Sequence, residues 1–412
     1  MDNEPRVVVF SSLFPSSAQP GAGLFVRERM FRVARRLPIS VVSPVPWFPF
    51  QSLLRRLRPG SRPDAPRREV QDGVQVEFPR FFSVPGMLKS LDGLWMALCV
   101  YPLLRRMKRQ GRLDLIDAHF AYPDGYAATL VGRWLDVPVT VTLRGTEARH
   151  ARDRWLAGRV RRAMTGARRV FAVSESLRQV AIGLGIEAAH VRVVGNGVDL
   201  DRFSPLPRAQ ARARLGLSDD APVLITVGAL VERKGFHRVM SELPELRRSH
   251  PNLTYLVVGG PSPEGDWSEH LRDLARSTGI EDAVRFLGPL SPDELRVPLS
   301  AADVFVLSTR NEGWANVLLE AMACGLPVVV TDVGGNAEVV CDGSLGIVVP
   351  FGDETALSQA IRDALARDWD RSHIRAYAAR NTWDVRVAVL VDELRALRRV
   401  GGSAAARSAC GT

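Results

Sequence analysis

Two series of short β-branched runs, each run followed by a stretch of helical period, leave this chain few architectures. The first series is Val7–Phe10, Ile39–Val42, Leu115–Ile116, Val139–Leu143 and Arg169–Val173. The second is Val223–Val227, Thr254–Val258, Val284–Leu287, Val304–Leu307, Val328–Thr331 and Gly346–Val349. Strands that alternate with helices imply a mostly parallel sheet covered on its faces. The pattern restarts after a turn-rich stretch, Gly195 to Pro207, so the expected fold class is α/β, with two doubly wound units in tandem. A length of 412 residues also exceeds what one core usually organises.

The boundaries follow from these runs. Residues 1–195 form the expected first domain and 196–383 the second. A helix over Trp383–Arg399, carrying Val385, Val389, Val391, Leu394 and Leu397, is expected to pack back onto the first domain from about residue 384 to 400. Residues 401–412, Gly-Gly-Ser-Ala-Ala-Ala-Arg-Ser-Ala-Cys-Gly-Thr, read as a disordered tail. Residues 51–72, rich in Arg and Pro, read as a loop.

Composition excludes several classes. Cys99, Cys324, Cys341 and Cys410 have neither metal-ligand nor C-x-x-C spacing, which fits a reduced, cytoplasmic protein and gives no metal site. The opening residues lack the charge pattern and apolar length of a signal peptide. Gly93 to Leu104 is about half the length of a membrane-spanning helix. The net charge of +10 is uneven: residues 1–200 hold 31 Lys and Arg against 17 Asp and Glu, and residues 201–412 hold 24 against 28. Basic blocks such as Arg55-Arg56-Leu-Arg58 and Arg105-Arg106-Met-Lys108-Arg109 suit either anionic lipid headgroups at the inner face of the cell membrane or a solvated Arg-rich surface. No aromatic residues interleave with these arginines as base-stacking platforms, so nucleic acid is not an expected partner.

In an open parallel sheet, ligands meet the carboxyl ends of strands, where loops lead into helix N-termini. After Val304–Leu307 comes Glu312-Gly313-Trp-Ala-Asn316, entering a helix that carries Glu320. Gly313 permits close backbone approach, and the N–H groups of Asn316, Val317 and Leu318 would face a diphosphate. Glu320 is spaced to reach ribose hydroxyls and Glu312 to reach sugar hydroxyls. The plainer alternatives are a carboxylate complementing the helix dipole and a solvent-facing helical Glu. After Val223–Val227, Gly228 precedes the paired cations Arg233 and Lys234, which could neutralise a departing diphosphate or merely charge a turn. Strand Leu115–Ile116 leads into His119 and Asp124, and strand Val139–Leu143 into Arg144, Thr146 and Glu147. His119 on such a loop could touch a substrate hydroxyl or be structural. Gly21-Ala-Gly23 is a weaker phosphate signal, since no full G-x-G-x-x-G follows.

Together these residues resemble glycosyltransferase family 4, retaining enzymes of the GT-B architecture, in which two Rossmann-like domains face a cleft and a C-terminal helix crosses back to the first. The resemblance rests on Gly228 with Arg233-Lys234-Gly235, Glu312-Gly313 with Glu320, the Ala321-Met-Ala-Cys-Gly-Leu-Pro-Val328 run, Gly334-Gly335-Asn-Ala-Glu338 and the Asn196-Gly-Val-Asp linker. It implies transfer of a sugar from a nucleotide-sugar donor, first of all UDP-linked, to a lipid-linked or glycan acceptor in exopolysaccharide or related envelope synthesis. No metal or other cofactor is implied. Residue by residue, it implies Glu312 and His119 at the donor sugar, Glu320 at the ribose, Arg233 and Lys234 at the diphosphate, and Gly23, Gly228, Gly313, Asn316, Val317 and Leu318 along the donor. Asp124, Arg144, Thr146 and Glu147 fall on the acceptor side. Departures are Trp314 where Phe is common, Arg144 and Glu147 where many relatives carry His and Asp, and Gly21-Ala22-Gly23 in place of paired glycines. A UDP-sugar epimerase or a phosphorylase of the same fold, and a basic nucleic-acid-binding protein, are the alternatives weighed against it.

Overall fold

The computed structural model describes residues 4–49, 51, 64–262 and 264–409. The basic block at Arg55–Arg58 and residues 410–412 lie outside the described residues. The chain divides into two compact units, Met1–Gly195 with Arg386–Thr412, and Asn196–Val385.

The first unit is built on an eight-stranded sheet. In chain order its strands are β1 (Val7–Phe10), β2 (Ile39–Val42), β4 (Arg68–Gln71), β5 (Val74–Glu77), β7 (Leu115–His119), β8 (Val139–Leu143), β9 (Arg169–Ala172) and β10 (Val191–Val193). Their spatial order is β10-β9-β8-β7-β1-β2-β5-β4. All neighbours are parallel except β4 and β5, a hairpin turned by Asp72 and Gly73, both at positive φ. The short strands β3 (Val45–Trp47) and β6 (Arg80–Phe82) pair separately. Every residue of β1, β7 and β8 is buried, as expected of a central parallel sheet covered on both faces.

The second unit holds β11 (Val223–Val227), β12 (Thr254–Val258), β13 (Val284–Gly288), β14 (Val304–Leu307), β15 (Val328–Thr331) and β16 (Gly346–Val349), all parallel, in the order β13-β12-β11-β14-β15-β16. Two apolar layers sandwich this sheet. One contains Ile225, Phe305, Leu318 and Met322, and the other Leu224, Val306, Phe236 and Met240.

In both sheets the winding direction reverses once, between β1 and β7 in the first unit and between β11 and β14 in the second. Loops leaving two such neighbouring strands diverge to opposite faces and open a crevice, so each reversal is where a ligand site is expected.

Three sequence expectations change. Strand β7 runs three residues beyond Ile116, because Asp117 and His119 are buried with polar neighbours rather than solvated. The strands β3, β6 and β10 have three residues each, and β4 and β5 interleave polar with apolar residues, so none reads as an apolar run; β4 lies within residues 51–72, expected as a loop. The last helix, Trp383–Ala409, continues through the stretch expected to be a disordered tail. Its buried stripe is Val387, Leu390, Val391 and Leu394, which join Val9, Val26 and Met30 in the first unit's core, whereas Val385 is half exposed. Glu393 on this helix pairs with Arg192 at 2.9 Å and Arg169 at 3.3 Å.

Candidate functional site

The reversal in the second unit gathers the charges. Glu312 follows β14, and its Oε1 accepts from Lys234 Nζ at 2.5 Å, from Arg233 Nη1 at 3.3 Å and from Thr309 Oγ1 at 3.3 Å. Both cations follow β11, so one carboxylate stitches the two diverging loops together. The Glu312 and Lys234 side chains are only 10% and 14% exposed, which makes their charges poorly screened. Arg233 also donates through Nε and Nη2 to Glu264, both at 2.8 Å. These bonds, Glu264 first, hold the guanidinium's pKa above its ordinary value.

Backbone fixes this arrangement. Gly235 sits at φ 78°, and a Cβ there would lie 2.1 Å from Ser308 O, so the Arg233–Gly235 turn can press against the end of β14 only without a side chain. Ser308 Oγ donates to Gly235 O at 2.7 Å, and Thr309 Oγ1 donates to Arg233 O at 3.0 Å. Gly228 lies beside the Lys234 stem, 3.4 Å from where a Cβ would stand. Gly313 is buried, and Asn316 opens the helix Asn316–Ala323 with its Oδ1 accepting from Asn196 Nδ2 at 2.8 Å. Of the three amides expected to face a diphosphate, that of Leu318 is already bonded to Ala315 O at 3.1 Å. Asn316 and Val317 are half buried, and Glu320 is half buried further along the same helix.

The first unit's reversal is organised differently. Asp124, 1% exposed, accepts from the Ser12 amide and, at 3.0 Å, from Ser12 Oγ, which ties the β1 loop to the β7 loop. Burial pushes its carboxyl up to about 7, with Glu147 adding to the rise. Glu147 is fully buried and accepts from the amides of Ala121 (2.9 Å), Arg144 (3.0 Å) and Gly145 (2.8 Å). Both carboxylates thus accept from protein donors within the loops, Asp124 from Ser12 and Glu147 from three backbone amides.

His119 is likewise buried rather than displayed on a loop. Arg144 donates to its Nδ1 from Nη2 at 2.9 Å and Nε at 3.2 Å. A guanidinium can only donate, so Nδ1 accepts and the ring's proton resides on Nε2, 3.5 Å from Asp117 Oδ2. Burial, then Arg144 and Arg29, hold the imidazole well below its ordinary pKa, so the ring is neutral. Burial raises the Asp117 carboxyl and lowers Arg144. Arg29, wholly buried with Nη2 on Val194 O at 3.2 Å, is lowered to about 10, mainly by burial. Thr146 is half buried at the start of a short helix. Gly23, at φ 65°, caps the helix Leu24–Ala34, and a Cβ there would strike Leu13 O, so its glycine answers to local packing.

Glu264, Thr309, Asp117, Arg29 and Ser12 were not singled out by sequence. Glu264 sits in a Gly- and Pro-rich loop with no periodic signal, and Arg29 looks like any other helix cation. Among the described residues, no group of three or more His, Cys, Asp or Glu is placed to hold a metal ion, and no helix is long and apolar enough to cross a membrane.

Comparison with known proteins decides the family. Residues 207–381 match the glycosyl transferases group 1 model and residues 57–202 the Glycosyltransferase Family 4 model. The chain is 31% identical to the teichuronic acid biosynthesis glycosyltransferase TuaC of Bacillus subtilis, over 80% of this chain and 82% of that one. The chain belongs to glycosyltransferase family 4. The transferase is also 31% identical to a D-inositol 3-phosphate glycosyltransferase of Kineococcus radiotolerans, over 91% of this chain and 90% of its relative. Its fold matches sucrose-phosphate synthase from Thermosynechococcus elongatus with a TM-score of 0.75 at 21% identity, covering 96% and 100% of the two chains. It matches Anabaena HepE in complex with UDP with a TM-score of 0.73 at 20% identity, covering 95% and 100%. The architecture is therefore GT-B, with two Rossmann-like domains.

Proposed function

We propose that this transferase moves a sugar from a UDP-linked donor onto a lipid-linked or glycan acceptor, with retention of anomeric configuration, in the synthesis of an envelope glycan at the cytoplasmic face of the membrane. The observation that carries this reading is the Lys234–Glu312 pair, with Arg233 beside it, at the second unit's winding reversal. Two cations sharing one carboxylate can turn to a diphosphate, and the carboxylate is then left to hydrogen-bond sugar hydroxyls. Similarity to a teichuronic acid transferase and to a structure holding UDP supports the donor and acceptor classes.

In the proposed reaction, the acceptor oxygen attacks the anomeric carbon on the face from which the diphosphate leaves. The carbon–phosphate oxygen bond breaks, the new glycosidic bond forms, and the acceptor proton passes to the departing phosphate oxygen. Arg233 and Lys234 stabilise the charge that develops there, so the reaction needs no metal and no protein nucleophile. The Asn316 and Val317 amides take phosphate oxygens and Glu320 takes the ribose, while Gly228 and Gly313 give the backbone room. His119, buried between Arg144 and Asp117, acts as an organiser of the β7 and β8 ends. Thr146 remains the accessible acceptor-side candidate.

A thermal-shift screen of nucleotide sugars, followed by turnover assays and assignment of the product's anomeric configuration, tests the reading. Normal binding and turnover of the selected donor by both Glu312→Ala and Lys234→Ala would sink it.

A further inference from the structure

An apolar, cation-bordered face of the first unit has no part in the site described above. Among the described residues, Trp47, Phe82, Met87, Leu88, Trp95 and Leu98 are all large, apolar and exposed, from 38% at Phe82 to 63% at Met87. They come from three adjoining pieces. Trp47 and Phe82 are register partners in the β3–β6 ribbon, Phe82 meets Trp95 edge-on with ring centroids 5.8 Å apart, and Met87 and Leu88 form the turn that leads into the helix Asp92–Arg109. Leu88 lies in the left-handed backbone region, φ 51°, with its side chain 60% exposed. Exposed apolar groups scattered singly need no explanation, but a contiguous set marks an interaction surface.

The helix shows what that surface suits. Its inner face, Met96, Val100, Leu104 and Met107, is buried in the unit. Its outer face begins with Trp95 and Leu98 and continues, at helical spacing, into Arg105, Arg106 and Arg109, all exposed. Residues 80–112 hold seven Lys and Arg and one acid, Asp92, which is buried and paired with Lys89. A two-fold contact with a second copy would set these cations against themselves. An anionic bilayer complements both parts, since indoles and leucines enter the headgroup boundary while arginines meet lipid phosphates.

We propose that this face docks the transferase on an anionic membrane surface, with the helix Asp92–Arg109 lying in the interface plane. This deepens the membrane setting of the proposed function and rests on it there, while using none of the proposed donor-site residues. The test is flotation of the full chain with vesicles of phosphatidylcholine alone and of phosphatidylcholine with about one-third phosphatidylglycerol. The transferase is expected to bind the anionic vesicles at least about tenfold more tightly, and less so as salt rises. Leu88→Glu with Leu98→Glu, and separately Arg105→Glu with Arg106→Glu, should each lower that binding by about tenfold or more, with donor hydrolysis in solution unchanged. Because all four side chains are exposed, both variants should fold, and melting checks this. Absence of vesicle binding, or binding that neither variant weakens, overturns the proposal. So does conversion of a dimer to a monomer by Leu88→Glu with Leu98→Glu without vesicle binding, which would make the face a protein interface. Failure of donor turnover alone would count against the proposed reaction and leave the vesicle result standing.

Discussion

Lys234 Nζ lies 2.5 Å from Glu312 Oε1, a contact between loops that leave neighbouring strands in opposite winding directions. Each residue is the other's partner in this structure, and each is proposed to change partner when a donor arrives. Lys234→Ala should therefore weaken UDP binding and lower kcat, whereas Glu312→Ala should lower kcat by about 10²–10³ with a smaller effect on UDP affinity. Calorimetry with UDP and initial rates with the selected nucleotide sugar separate the two.

Glu264 pairs with Arg233 and would compete with a diphosphate for it. Its two bonds to the guanidinium are partly exposed, and such pairs are worth about 0.2–1 kcal/mol. Glu264→Gln should tighten UDP binding by about 1.4- to 5-fold in a titration. The gain should vanish in the Arg233→Ala background, and a weaker affinity in the single variant would contradict the competition.

Glu147 holds three backbone amides in a buried place, so removing it orphans all of them. Glu147→Ala should destabilise the first unit by about 3 kcal/mol or more. The thermal midpoint would fall by roughly 6–12 °C for a unit of this size. An unchanged melting curve would mean that these amides find other acceptors.

Asp124 gives a pH signature. Its carboxyl titrates near 7 in the fold against 3.8 ordinarily, so between these values the folded state holds a proton that the unfolded chain has lost. Its contribution is most favourable at low pH and declines as pH rises through that window. His119 works in the opposite sense: its lowered pKa favours the fold as pH rises through the acid range. Asp124→Asn isolates the first effect, because its Oδ1 can still accept from the Ser12 amide while its Nδ2 donates to Ser12 Oγ. The melting-temperature advantage of the native chain over this variant should shrink between pH 5 and pH 8, and a constant difference would refute the shift.

Much of this was legible in the residues. Long Val-rich strands such as β8, β11 and β12 announce themselves because a parallel sheet buries both faces and leaves no polar alternation. Glu312, Arg233 and Lys234 were legible because they follow strands, where an α/β sheet presents its ligands. Asp124 and Glu147 also follow strands and His119 ends one, yet the fold buries them. Burial of a polar side chain depends on which distant donors pack against it, and no local spacing encodes that Ser12 meets Asp124. Glu264 was hidden for the same reason, since its partner lies 31 residues earlier in the chain.

The winding reversals in the two sheets have a consequence for how such a chain divides its labour. One reversal is closed by a buried carboxyl hydrogen-bonded to a serine, with its pKa raised by burial. The other is closed by ions, which in the proposed reaction trade one another for a substrate. On that proposal, two sheets of like topology differ in whether their seam is permanent or replaceable, and transplanting the Ser12 and Asp124 chemistry to the second seam should leave a folded protein with no place for a nucleotide.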